Sequence, residues 1–263
     1  MYAPGMFCII SPKKLIYITF NSGNFVPHMS IKDIFPIHDW DFKSQSIMHD
    51  LPAADIDLLC RQAIEKNYKK GEVVFKEGIF PSGIFYIIEG KVKKYKVDKE
   101  GKEHIIYIAN TGELIGYHAV LAEENYPDSG ATLEASRIMF IPKVDLLLSL
   151  NQSAVLNQRL LKTLSHEFNV LANSLTVFAK KTVRQRLALQ LIIIREKYKL
   201  PLEPGKPVEI NISRDDLANM VGTARENVVR VLTEFKEDGI LETKGRLIIV
   251  HDINKLVAIA DYV

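Results

Sequence analysis

Apolar positions along the chain follow two different periods. Between residues 69 and 142 they come in short runs. Glu72–Lys76, Ile84–Ile88, Lys91–Val97, His104–Ala109 and Arg137–Ile141 are rich in β-branched and aromatic residues, and Gly71, Gly78, Gly83, Gly90, Gly101 and Gly112 separate them. Lys91–Val97 alternates at period two, and Asp98–Gly101 supplies a hairpin turn before the next run. About eight strands in roughly 75 residues predict a jelly-roll or β-roll domain over residues 45–150.

The period then lengthens. Leu161, Leu164, Phe168, Leu171, Leu175, Phe178 and Thr182 are spaced alternately by three and four residues, with no Gly or Pro among them. This a/d pattern predicts a helix about 45 Å long over residues 151–181. Its apolar stripe must be covered, either by the chain's own β-domain or by a second copy. A repeat nearer 3.5 than 3.6 favours a parallel homodimer seam through Leu161, Leu164, Phe168, Leu171, Leu175 and Phe178.

Residues 182–263 read as a second small domain, which makes the whole chain α+β. Val183–Tyr198 is helical, Pro201–Pro207 is a loop and Val208–Ile212 is a short strand. Ser213-Arg-Asp-Asp216 and Thr223-Ala-Arg-Glu226 then form two capping boxes ten residues apart, so two helices start there with Gly222 at the turn between them. In the second helix Val228, Val231, Leu232 and Phe235 fall on one face. Arg225, Glu226, Val229, Arg230 and Thr233 fall on the other. Leu241–Val250 reads as a hairpin turning at Lys244-Gly245, a wing that offers Lys244 and Arg246.

Residues 1–28, within an N-terminal extension read over 1–44, show no clean periodicity. Pro4, Pro12 and Pro27 interrupt them, Phe7–Ile10 and Leu15–Phe20 are short apolar pieces, and Met29 opens a more regular stretch. The expectation is an extension poorly ordered in part, with translation from Met29 or a short strand pairing elsewhere as the two readings.

Composition narrows the function classes. At 47% hydrophobic and 25% charged the chain is ordinary globular protein. No apolar run reaches the roughly 18 residues of a membrane span. Lys13 and Lys14 break the first apolar stretch, so no secretory signal is read, and a soluble cytoplasmic protein without membrane contact is expected. Two cysteines, Cys8 and Cys60, fit a reducing compartment and are too few for a four-cysteine cluster.

The net charge of +2 is unevenly spread. Residues 180–263 hold 15 Lys and Arg against 12 Asp and Glu, and seven of the ten arginines, while none lies between Arg61 and Arg137. Arginine suits phosphates and guanine edges, so double-stranded DNA is the partner to test first. The exposed face of the second helix fits a major groove: Arg pairs with guanine O6 and N7, Glu accepts from cytosine N4 and Val meets a thymine methyl. Ser213 and Thr223 sit at helix N-termini whose free amides suit a backbone phosphate.

A β-roll, a long dimer helix and a winged helix with Arg225-Glu226-x-x-x-Arg230 resemble the CRP/FNR family of bacterial transcription factors. The resemblance covers about residues 45–260, and its most specific part is Ile212–Gly239. It implies that Arg225, Glu226 and Arg230 read bases, that the protein binds DNA as a homodimer and, if it activates, that it meets RNA polymerase. It places an effector pocket near Gly112, Glu113, Leu114, Gly116, Tyr117, His118, Asp128 and Ser129.

The chain departs from the family at that pocket. Members that bind cyclic nucleotide use a Gly-Glu pair for the ribose and an Arg-Ser or Arg-Thr pair for the phosphate. Here Tyr117 follows Gly116, and Asp128 stands near the arginine position. This argues against cyclic AMP, because a buried phosphate would meet a carboxylate. The fumarate–nitrate branch uses an iron–sulfur cluster that two cysteines cannot hold. His118 falls where carbon monoxide sensors of the family place a haem ligand, although a lone histidine beside Tyr117 reads first as a hydrogen-bonded structural residue.

Two rivals come from other classes. A cupin-type metal enzyme needs clustered ligands, whereas His104 and His118 stand fourteen residues apart. A β-roll scaffolding or ligand-binding protein leaves Thr223–Arg230 without a purpose. The reading is therefore a DNA-binding regulator and not an enzyme.

Overall fold

The structure is a computed structural model that describes residues 7–11, 14–18, 31–199 and 208–262. Pro4, Pro12, Pro27, Met29 and the loop 201–207 lie outside the described residues. The two apolar pieces near the N-terminus pair with each other: β1 (Phe7–Ser11) and β2 (Lys14–Ile18) form an antiparallel hairpin with Phe7 opposite Ile18.

After α1 (Ala53–Leu59) the β-roll is built from β3 (Ile64–Tyr68), β4 (Val73–Phe75), β5 (Gly83–Glu89), β6 (Lys91–Val97), β7 (Glu103–Asn110), β8 (Leu114–Ile115), β9 (Ser129–Thr132) and β10 (Ser136–Pro142). Helix α2 (Tyr117–Ala122) crosses between β8 and β9. The strands form two antiparallel sheets, ordered β3-β10-β5-β8 and β4-β9-β6-β7. Ile84 and Ile141 face one side of their sheet and Ile87 and Ile138 the other, and all four are fully buried because β5 and β10 are covered on both faces.

The helix expected over 151–181 runs from Ala154 to Lys180 and is preceded by a separate shorter helix. After α3 (Lys143–Gln152) the chain breaks at Ser153, and α4 (Ala154–Lys180) follows, about 40 Å long at 1.5 Å per residue. Ser153 causes the break. Its backbone is extended, and its hydroxyl accepts from the amide of Leu156 at 3.0 Å while donating to Asp55. Helix α4 has two apolar stripes. Leu156, Leu160, Val170 and Val177 are buried on its inner side, whereas the expected seam stays open, with Leu161, Phe168 and Leu175 at 65%, 72% and 72% exposure. Leu164 is half-buried against the inner cluster, and Leu171 is exposed.

The second domain holds α5 (Val183–Lys199), β11 (Glu209–Asn211), α6 (Arg214–Val221), α7 (Arg225–Glu237), β12 (Leu241–Lys244), β13 (Leu247–Val250) and α8 (Ile253–Ala260). The strands pair in the order β11-β13-β12. Lys244 faces Leu247, so the hairpin turns at Gly245-Arg246, one residue later than expected.

Residues 31–44, expected to be poorly ordered in part, are packed. Ile31, Phe35, Trp40 and Phe42 are buried. Trp40 lies edge-on to Tyr262 at 4.7 Å between centroids, His166 bonds the carbonyl of Asp41 at 2.8 Å and Asn173 donates to that of Asp39 at 3.3 Å. This segment thus straps the C-terminal domain to α4.

Candidate nucleic-acid interface

Helix α7 buries one face and offers the other. Val228, Val231, Leu232 and Phe235 are buried, while Arg225, Glu226, Val229, Arg230 and Thr233 are exposed. Each exposed arginine leans on a carboxylate: Arg225 Nε lies 3.8 Å from Asp215 Oδ1, and Arg230 Nη1 lies 2.6 Å from Glu234 Oε1. Exposed pairs of this kind are worth only about 0.2–1 kcal/mol, and they leave both guanidinium groups open to a base or phosphate.

The start of α7 differs from the sequence expectation. Ala224, not Thr223, is the N-cap and provides no side-chain bond, while Thr223 Oγ1 accepts from Asn227 Nδ2 at 3.0 Å. The expected Thr223–Glu226 capping box is not formed, because Gly222 in the left-handed region (φ +68°) sets the turn one residue later. Ser213 does cap α6: its hydroxyl accepts from the amide of Asp216 at 2.9 Å and donates to the Asp216 carboxylate. The wing residues Lys244 and Arg246 are exposed, and Lys244 pairs with Glu242 at 2.9 Å.

Three further arginines build this surface. Arg214 Nη2 donates to the carbonyl of Gly245 at 3.0 Å, tying α6 to the wing. Burial and the nearby Arg225 lower the pKa of Arg214. Arg186 donates to the carbonyls of Val221 at 2.9 Å, Gly222 at 3.3 Å and Lys181 at 3.0 Å. Arg184 spans Glu234 at 2.6 Å and Asp238 at 3.0 Å. The arginine count in this part of the chain was the only sequence signal for them.

Phe178, expected in the dimer seam, also packs within the chain. Its ring lies 5.3 Å from that of His104 and 5.6 Å from the guanidinium of Arg186, and a Cβ added at Gly222 would meet it at 3.0 Å. It wedges between the β6–β7 hairpin and the α6–α7 turn. The apolar period that placed Phe178 in the seam cannot distinguish these two partners.

The residues expected to line one effector pocket fall into three environments. Glu113 is fully buried and bonds Lys197, Tyr107 and Ser44. Tyr117 and His118 both reach Glu167 of α4, His118 at 2.6 Å. Burial and the Glu167 charge push the Tyr117 phenol far above its usual range. Asp128 pairs with Lys94 at 3.1 Å, both buried, and Ser129 Oγ accepts from the amide of Glu77 at 3.0 Å.

Gly112 takes φ +87° at the turn before β8, and Leu114 is core. Between Gly116 and Gly130 the interior is filled by rings. A Cβ at Gly116 would meet Tyr126 at 3.2 Å and Phe85 at 3.5 Å, and one at Gly130 would meet Phe75 at 2.5 Å. Phe75 stacks on Phe85 at 5.6 Å and lies tilted against Tyr126 at 4.6 Å. A cyclic nucleotide does not fit these residues. His118 gives one ring nitrogen to Glu167, and two cysteines do not suffice for a four-cysteine iron–sulfur cluster.

Among the described residues no helix is long and apolar enough to cross a membrane. Residues 65–153 match the cyclic nucleotide-binding domain, and residues 185–259 match the Crp-like helix-turn-helix domain. The chain is 28% identical to electron transport regulator A of Shewanella oneidensis, over 85% of this chain and 89% of that one. It is 27% identical to the transcriptional activator protein anr of Pseudomonas aeruginosa, over 73% and 78%. A CRP/FNR-family transcriptional regulator from Thermus thermophilus shares the fold with a TM-score of 0.59 at 22% identity, covering 76% of this chain and 99% of that one. With a β-roll, an exposed helix seam and a helix-turn-helix whose outer face is set with arginine, the chain belongs to the CRP/FNR family of DNA-binding transcriptional regulators.

Proposed function

We propose that the protein is a homodimer that reads an inverted repeat, one α7 per half-site, and that α4 joins the two copies. The observation that supports this most is the division of α7: four apolar residues are buried, while Arg225, Glu226, Val229 and Arg230 stand outward. In this reading Arg225 and Arg230 take guanines, Glu226 is free of the capping box and accepts from cytosine N4, and Val229 meets a thymine methyl. Ser213 and Thr223, with Lys244 and Arg246 of the wing, border the flanking phosphates. The exposed Leu161, Phe168, Leu171 and Leu175 cover one another across the two-fold axis.

The domain limits follow the same division: an N-terminal extension to residue 44, the sensor to 150, the dimer helix to 181 and the winged helix beyond. The β-roll interior is filled, so the signal reaches the protein elsewhere than at the cyclic nucleotide slot. An activating role brings a surface of the dimer against RNA polymerase, and a cytoplasmic setting accords with such a partner.

Selection of duplexes from a random pool with the full-length protein, followed by footprinting, tests the reading. The expected result is an inverted repeat with half-site centres about 10 base pairs apart. Enrichment of a single unpaired half-site overturns it.

A further inference from the structure

We infer that Arg184 and Glu234 form a positioning pair that presents Arg230 to its base, an inference that rests on the base-reading role proposed for Arg230. Glu234 divides its carboxylate. Oε1 accepts from Arg230 Nη1 at 2.6 Å and Oε2 accepts from Arg184 Nη1 at 2.6 Å. Arg184 is in turn fixed on two more sides, by Asp238 Oδ2 at 3.0 Å and by the Phe235 ring, 4.9 Å from its guanidinium carbon. Arg230 is 63% exposed, so its packing alone does not select a rotamer.

Two physical consequences follow. An isolated i,i+4 pair is loose, but a carboxylate anchored from behind by a second guanidinium holds its orientation. Bidentate recognition of guanine needs a fixed guanidinium plane, so Arg230 gives up less side-chain freedom when it binds. In addition, a carboxylate at the fourth position after a base-reading arginine would repel the phosphates, and Arg184 neutralises it. Glu234 therefore sharpens base choice without opposing the approach to DNA.

The test uses the full-length protein and a duplex selected by the wild type, together with every single base-pair variant of that duplex. Arg230→Ala identifies the base pair at which preference is flattened. Glu234→Ala and Arg184→Ala should each reduce preference at that same pair several-fold and leave other positions unchanged. Placed in the Arg230→Ala background, neither should alter it further, which a purely electrostatic or structural effect would not produce. Glu234→Gln keeps an oxygen for Arg230 and should retain part of the preference. It also serves as the readout if the alanine variant folds poorly. If Arg230→Ala flattens one pair while Glu234→Ala, Glu234→Gln and Arg184→Ala keep wild-type preference there, the positioning role is wrong and the reading of Arg230 stands. If Arg230→Ala flattens no pair, both are overturned.

Discussion

Lys197, near the end of α5, places its ammonium 2.7 Å from Glu113 Oε1 inside the sensor domain. Asp41 of the strap lies 2.8 Å from the same nitrogen, the Tyr107 hydroxyl completes the cluster, and Asn110 Nδ2 donates to the Lys197 carbonyl at 2.7 Å. Burial opposes the charge on Lys197, yet the two carboxylates hold its pKa above the usual lysine value. Burial and the Asp41 charge raise Glu113, against Lys197. Burial also works to raise Asp41, but Lys197 outweighs it and the carboxyl ends low. Strap, sensor and winged helix therefore meet at one buried ion cluster.

Lys197→Met leaves the buried Glu113 and the half-buried Asp41 without their cation, and removing one member of a buried pair costs about 3–5 kcal/mol. Undocking of the domains should precede global unfolding in urea. The fluorescence of Trp40, the only tryptophan, reports it directly, because Trp40 packs against Tyr262. Adding Glu113→Gln should recover part of the loss. A single unfolding transition at the wild-type midpoint for Lys197→Met would show that the cluster does not hold the domains.

The readable and hidden parts of this architecture divide by range. The recognition helix was legible because Val228, Val231, Leu232 and Phe235 repeat locally, and Ser213 announces α6 three residues before Asp216. The strap was not legible: Trp40 and Tyr262 meet across almost the whole chain, and no local period encodes that. Strand β9 was missed because Ser129–Thr132 is buried throughout, so its residues do not alternate. The ring cluster beside Gly116 and Gly130 was not legible either, because Phe75, Phe85 and Tyr126 converge from separate strands and loops.

Protonation of His104 should weaken the contact between the sensor and the winged helix. Burial is the main cause holding its pKa below the ordinary histidine value, Lys102 adds to this, and a hydrogen bond to the backbone of Asn219 opposes it. Lys96 and Glu103 flank it on its own hairpin, and Asn219 and Gly222 face it from the winged helix. The released chain takes up the proton first, so docking is fully favoured above about pH 6.5 and is lost as pH falls below that value. Urea midpoints measured between pH 7.5 and 5.5 should drop less in His104→Gln than in the wild type. Parallel pH profiles for the two proteins would remove His104 from the contact.

Leu171→Glu puts like charges into the proposed seam, where each bears a desolvation penalty of several kcal/mol. Leu171 is exposed in the single chain, so the fold should survive while the dimer weakens by at least 100-fold. Sedimentation at micromolar concentration separates the species. An undiminished dimer assigns the Leu161–Leu175 stripe to another purpose.

Calorimetry with cyclic AMP and cyclic GMP at millimolar concentration should give no saturable heat. The reason is packing as well as charge: Phe75 stands 2.5 Å from where a Gly130 Cβ would lie, and Lys94 is already committed to Asp128. Micromolar binding would require these rings to move aside, which crystallography of the complex would reveal.

Arg246 and Arg230 should fail in different ways. Arg246 is an exposed wing residue, and in the phosphate-binding role proposed for it Arg246→Ala should weaken every sequence about equally. It should also make the slope of log affinity against log salt shallower by about one unit per contact removed, since fewer counterions are released. Arg230→Ala should instead cost about 1–3 kcal/mol at one base pair per half-site. Binding titrations over 50–200 mM salt, on the selected duplex and on a scrambled one, separate the two. A sequence-selective loss with unchanged salt slope for Arg246→Ala would move that residue from the backbone to a base edge, where wing readout would have to be built into the half-site.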